Sequence, residues 1–195
     1  MSTFDAVHAP VARRTVPGWS LAAPVLVVVV ATLAAAGAVL LDRSPKTPWV
    51  ESRVAAVGQR APDFQSWDLN GNSVRLSDLK GRPVLLTFWA TSCTACQDEF
   101  PALQRIEVAH QRAGLRVLAV DYRETNTSAM KQFLQRMNVT FTPVIDPQAS
   151  IASAYGVDIG LPVNVWVDAD QRVVQVMLGA QPQAQLAAAA AQIAA

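Results

Sequence analysis

A nearly continuous apolar run, Pro83-Val84-Leu85-Leu86-Thr87-Phe88-Trp89-Ala90, is followed after Thr91-Ser92 by Cys93-Thr94-Ala95-Cys96 and then by an apolar stripe at Phe100, Leu103, Ile106 and Ala109. A run of that kind predicts a strand buried on both faces. The stripe predicts a helix over Thr94 to Ala113. A doubly buried strand needs a covering layer on each side, so the chain must build a sandwich around a central sheet. The flanking segments fit that demand. Asp63 to Asp68, Asn70-Gly71 and Ser73 to Leu76 read as a hairpin, since Asn-Gly suits a tight turn with positive φ. Leu115 to Val120 reads as a strand and Ser128 to Met137 as a helix. Val144-Ile145-Asp146 and Ile151 to Tyr155 read as a short strand and a short helix. Val163 to Val167 and Arg172 to Met177 are strands around an Asp168-Ala169-Asp170-Gln171 turn, and a last helix spans Gln183 to Ile193. Alternating β and α elements, closed by a hairpin, predict an α/β fold around a mixed sheet.

The Cys93–Cys96 pair carries the chemistry. At a strand-to-helix junction the first thiol sits at the helix N-terminus, where unpaired N–H groups and the macrodipole stabilise a thiolate. The second lies one turn further in, close enough for a reversible disulfide. Cys93 would attack a substrate disulfide and Cys96 would resolve the mixed disulfide. Competing uses of two cysteines fare worse. A zinc site needs further ligands, and the chain has only His8 and His110. Haem attachment requires a histidine after the second cysteine, where Gln97 stands. Two buried structural thiols remain an alternative, against which the strand-to-helix placement counts. Copper binding by both thiolates is a further reading, although copper carriers space their cysteines by three residues and add a distant histidine.

Composition narrows the classes further. A net charge of +1 from 16 basic and 15 acidic residues leaves no basic stripe for nucleic acid. Nine scattered glycines supply no phosphate-cradling loop, and no cofactor or metal site is expected. The apolar excess lies near the N-terminus. Leu21 to Leu41 is uncharged throughout and as a helix would be roughly 30 Å long, the thickness of a bilayer's hydrocarbon core. The expected organisation is a tail over 1–20, a transmembrane anchor over 21–41 contacting lipid, a linker over 42–60 rich in Pro and Ser, and one domain over 61–195. A cleaved signal peptide is the alternative, since Ala34-Ala35-Ala36 and Ala36-Gly37-Ala38 offer small-residue sites. The run is longer than a usual signal core and continues through Val39-Leu40-Leu41, which favours an anchor. Flanking arginines do not set the orientation of so long a domain.

Ala61-Pro62-Asp63-Phe64, Asn70-Gly71, Leu76, Leu79-Lys80-Gly81 and Phe88-Trp89-Ala90-Thr91-Ser92-Cys93-Thr94-Ala95-Cys96 resemble the TlpA/ResA-type thiol-disulfide oxidoreductases, from Ala61 to about Gly179. The resemblance implies a thioredoxin-like fold, held outside the cytoplasmic membrane by one N-terminal helix. It implies reduction of protein disulfides, such as those of apocytochrome c or copper-centre assembly proteins, with electrons from a membrane thiol carrier. The opposite, oxidase direction stays open, because direction follows potential and partner. Glu99 and Pro101 match the family's Glu-Phe-Pro, and Glu99 would exchange protons with the thiols. Thr87 stands where thioredoxins proper carry a buried aspartate, which leaves Glu99 the candidate acid. Gly160-Leu161-Pro162 resembles the cis-proline loop. Pro162 would then face the disulfide, with Leu161 and Trp89 contributing to substrate binding. Ser92 and Thr94-Ala95 depart from the usual residues beside the cysteines.

Overall fold

Strand β4 (Val84–Trp89) is buried along its whole length, and the domain is arranged about it. The computed structural model describes residues 48–51, 55–158 and 160–194. The expected tail over 1–20 and membrane anchor over 21–41 lie outside the described residues. Among those described, no helix is long and apolar enough to cross a membrane.

β4 is the middle strand of a five-stranded mixed sheet. Its neighbours are β5 (Arg116–Asp121) and β7 (Val163–Val167), with β6 (Thr142–Val144) and β8 (Val173–Leu178) at the edges, in the order β6-β5-β4-β7-β8. β4, β5 and β6 run parallel, whereas β7 is antiparallel to both β4 and β8. Strand periodicity divides the β4 side chains between two cores. Leu85 and Trp89 face α1 (Thr94–His110), α2 (Thr127–Arg136) and α4 (Gln183–Ile193), meeting Phe100, Leu103, Phe133 and Leu186. Val84, Leu86 and Phe88 face the other layer, where Phe64, Leu76, Tyr155 and Ile151 of α3 (Ser150–Ala154) cover the sheet.

The N-terminal layer is a hairpin of β2 (Phe64–Trp67) and β3 (Ser73–Arg75). Asp68 closes its turn by accepting the Asn70 and Asn72 backbone N–H groups, both at 2.8 Å, and Gly71 takes φ 82°, as the Asn-Gly pair predicts. The expected linker needs correction from residue 48 onward. Trp49–Val50 forms strand β1, antiparallel to β2, and Arg60 bridges Arg172. Val173 donates to Gln59 O at 2.9 Å and accepts from the Gly58 N–H at 2.7 Å. This stretch therefore covers a sheet edge, and the compact unit spans Thr47–Ala195 rather than starting at residue 61. A two-residue strand is too short to carry a period, so its proline-rich surroundings read as a tether. Other boundaries agree within a residue or two, apart from the first helix. That helix gives way at Gln111–Ala113 to a 3-10 turn closed by Gly114 at φ 89°.

Where β5 ends, a buried carboxylate joins the sheet to α3. Asp121, 1% exposed, accepts the backbone N–H of Asp146. The Asp146 carboxylate in turn accepts the N–H groups of Ser150 at 2.8 Å and Ala152 at 2.9 Å, capping α3. Burial pushes Asp121 up to about 7, opposed by the Asp146 N–H and reinforced by the negative charges of Asp146 and Glu124. A carboxyl raised in the folded state contributes stability that is complete below its ordinary value of 3.8 and is lost as pH rises through about 7. Asp121→Asn keeps an acceptor for Asp146 and cannot ionise. In denaturant titrations the variant should gain about 1–3 kcal/mol on wild type at pH 8 relative to pH 4. An unchanged difference between the two pH values would show that Asp121 is not held protonated.

Candidate active site

Cys93 stands at the N-cap of α1, with φ −86° and ψ 98°, where β4 has just left the sheet. Its Sγ accepts the Cys96 N–H at 3.1 Å and is joined to the Cys96 Sγ in a disulfide. The cap position explains the bond's asymmetry. Cys93 is half-buried at the helix tip, whereas Cys96, one turn in, is fully buried in the α1-side core. The approach to the tip is fixed by Glu124, whose Oε1 accepts both the backbone N–H and the hydroxyl of Thr91 at 2.6 Å. Gln97 Nε2 also donates to Thr91 O at 3.2 Å.

Cys93 opens into a groove of about 520 Å³ lined by Tyr122, Val157, Asp158, Gly160 and Leu161. Gly160 and Leu161 continue it towards Leu178 and Gly179. The Leu161–Pro162 peptide bond is cis, as the motif implies, and Pro162 O accepts the Gly179 N–H at 2.8 Å. Leu161 and Cys93 thus come together, with Pro162 buried one residue further along. Trp89 does not join them. Its ring is fully buried, stacked on Phe133 at 5.3 Å and edge-on to Phe100 at 5.3 Å, so the expectation of a substrate contact is corrected to a core role. As an odd-numbered β4 position it must share the inner face with Leu85.

Glu99 is not among the residues lining the groove. It is 4% exposed, one turn beyond Cys96 on α1. Its Oε2 accepts from Asn164 Nδ2 at 2.9 Å and its Oε1 from the Gln181 backbone N–H at 2.8 Å. Burial raises its pKa, and those two donors hold it down in part. A carboxyl raised by burial is a stronger proton acceptor than one in water, which suits general acid–base work on a thiol. Asn164 escaped the sequence reading, although a polar residue within Val163-Asn164-Val165-Trp166-Val167 is the signal that marks it.

The arrangement can carry two electrons. In the dithiol form, Cys93 thiolate attacks a disulfide, one sulfur leaves, and Cys96 closes the ring by expelling the second. His110 ends α1, about 20 Å along the helix from Cys96, and no cluster of metal-ligating side chains exists among the described residues. Exposure sets the order of reaction of the two thiols. Alkylation of the reduced protein over a pH series should label Cys93 first, by at least about tenfold at neutral pH. Faster labelling of Cys96 would reverse the roles.

Comparison with known proteins agrees with this chemistry. Residues 57–176 match the AhpC/TSA family. The chain is 37% identical over 131 residues to the thiol-disulfide oxidoreductase ResA of Geobacillus thermodenitrificans, covering 67% of this chain and 74% of that one. It is 35% identical over 130 residues to the ResA of Bacillus cereus, with the same coverage. Among solved structures, a Chlorobium tepidum protein assigned as a thiol:disulfide interchange protein DsbE superposes with a TM-score of 0.68 at 29% identity, covering 72% of this chain and 99% of the other. The fold is thioredoxin-like, and the chain belongs to the AhpC/TSA family as a thiol-disulfide oxidoreductase of the ResA/TlpA type.

Proposed function

We propose that this oxidoreductase works in the reducing direction on disulfides of extracytoplasmic proteins, with apocytochrome c and copper-centre assembly proteins as the substrate class. The single observation that carries the reading is the asymmetry of the pair: Cys93 half-exposed in an open groove, Cys96 fully buried behind it. A mixed disulfide formed at Cys93 leaves Cys96 out of reach of solvent thiols and able to attack only the adjoining Cys93 sulfur. Tyr122, Val157 and Leu161 offer an apolar trough for an extended segment beside the substrate cysteine. Each turnover oxidises the Cys93–Cys96 dithiol, so a thiol donor must restore it. A membrane thiol carrier fits that need.

The reading places the domain outside the cytoplasm on an uncleaved Leu21–Leu41 anchor in the cytoplasmic membrane. Its support is the length of that uncharged run together with a disulfide-forming pair, since the cytosol keeps such thiols reduced.

Two measurements test it. Cys96→Ser should accumulate mixed disulfides through Cys93 in cells, and the captured proteins should be exported ones that carry paired cysteines. Capture of cytosolic proteins alone would overturn the substrate class, and oxidised wild-type protein at steady state in the cell would point to the oxidase direction. An export-dependent phosphatase fused after residue 195 should be active, with the full-length chain in the membrane fraction. Activity only from a cytosol-dependent reporter would overturn the topology.

A further inference from the structure

The two groups that hydrogen-bond Glu99 from outside its own helix, the Asn164 amide of β7 and the Gln181 backbone N–H, are not ionisable. Residues 179–182 read Gly-Ala-Gln-Pro and α4 is built of Gln, Ala, Leu and Ile, while β5, which also packs against α1, carries Arg116 and Asp121 at its two ends. On α1 itself, Asp98 is exposed, Glu107 is two turns away and accepts the Val117 N–H at 3.2 Å, and Cys96 is the titratable neighbour one turn back. A buried carboxylate would ordinarily be answered by a cation. Here its charge meets two neutral donors, the Gln181 backbone N–H and the Asn164 amide.

The two donors differ in kind. A backbone N–H can only donate, so it pairs with a carboxyl oxygen in either form, more strongly with the ionised one, and cannot receive the acid's O–H. The Asn164 amide carries a donor and an acceptor on one planar group, and a half-turn about its terminal torsion exchanges them with almost no change in volume. Asn164 is fully buried, and its Oδ1 has no hydrogen-bond partner among the described residues. The same is true of Oγ1 on Thr87, the fully buried residue directly opposite Asn164 in the β4–β7 register. With Glu99 ionised, the amide N–H pairs and the carbonyl is left over. With Glu99 protonated, its O–H needs an acceptor, and the unpaired Oδ1 supplies one.

We propose that Asn164 is a positioning residue that favours the ionised form of Glu99 by donating to its carboxylate, and that after a half-turn it accepts, more weakly, from the acid. The proposal rests on the reading of Glu99 as the proton acceptor for Cys96 and deepens it. In the resolving step the Cys96 S–H gives its proton to the Glu99 carboxylate. The Cys96 sulfur then bonds to Cys93 Sγ, and the bond from Cys93 to the substrate sulfur breaks. That sulfur leaves with the electron pair and takes a proton from solvent. The dithiol is oxidised and the substrate disulfide reduced by the same two electrons, and Glu99 afterwards returns its proton to water. Asn164 keeps Glu99 paired on both sides of the transfer.

Glutamate-labelled, reduced full-length chain allows a direct test, because Glu51, Glu99, Glu107 and Glu124 are its only glutamates and their carboxyl carbons can be followed by NMR as pH changes. In wild type the Asn164 side-chain amide resonances should shift with the same midpoint as the Glu99 carboxyl, and in Glu99→Gln they should stop titrating. Asn164→Leu, close in volume and without a donor, should raise the Glu99 midpoint by about one pH unit, a tenfold change in the acid constant. Asn164→Asp keeps the shape and should split the titration into two coupled steps. A Glu99 midpoint within about twofold of wild type in a folded Asn164→Leu protein overturns the proposal. Should that variant not fold, a single unsplit step in Asn164→Asp overturns it equally. The exchange reaction is a separate readout. If its pH profile is the same in Glu99→Gln as in wild type, the acid–base role of Glu99 falls, whereas the hold of Asn164 on Glu99 is judged by the NMR titration alone.

Discussion

Burial of β4 on both faces is the constraint from which the site follows. Six consecutive residues, Val84–Trp89, carry almost no exposed surface, and burying the apolar side chains among them at roughly 1.5–3 kcal/mol each locks the strand's position and register. The chain leaves the sheet at Ala90 with little freedom. Within three residues it must turn into α1, whose own stripe is tied to the same core through Phe100, Leu103 and Ile106. Cys93 is consequently delivered to the helix tip by packing on either side of it. Glu124 completes the delivery by holding Thr91, so the half-exposed sulfur sits on a rigid corner.

The same burial that places the thiols also raises the protonation energies around them. Glu99 and Asp121 both lie within the α/β sandwich with almost no solvent contact, and among the described residues no cation pairs with either. They are handled differently. Asp121 is tied to a backbone N–H at the sheet's end and meets the charges of Asp146 and Glu124, which press it towards the neutral form. Glu99 is raised by burial and held down in part by two neutral donors, one turn from the Cys96 thiol. Two carboxyls of similar burial therefore acquire a structural and a chemical task through the groups that face them.

The groove adds selectivity of a loose kind. Its walls are apolar side chains and backbone, with Asp158 as the charged group beside Cys93. Such a surface recognises an extended chain by shape and main-chain pairing more than by particular side chains. That suits an enzyme whose reacting atoms are the same in every substrate.

Much of this was legible in the sequence because it depends on short-range order. The apolar run before Cys93, the CxxC spacing, the Asn70-Gly71 turn and the alternation of strands and helices follow from local chain geometry, and each lies within two residues of its predicted place, the 3-10 ending of the first helix apart. The resemblance added Glu99 and the Leu161–Pro162 loop. What local order cannot express is which distant residues share a face. Trp89 reads as part of the active-site motif, yet strand periodicity turns it inward onto Phe133, about forty residues on. Trp49–Val50 carries no period of its own and becomes a strand only because β2 offers an open edge. Asn164 and Gln181 lie 65 and 82 residues from Glu99, and only the closed sheet brings their donors to its carboxylate. The sequence by itself determined the strand, the thiol pair and the sulfur that leads. The tertiary structure decided which sulfur is shielded and what holds the proton beneath it, because burial and hydrogen-bond partners belong to contacts between segments far apart in the chain.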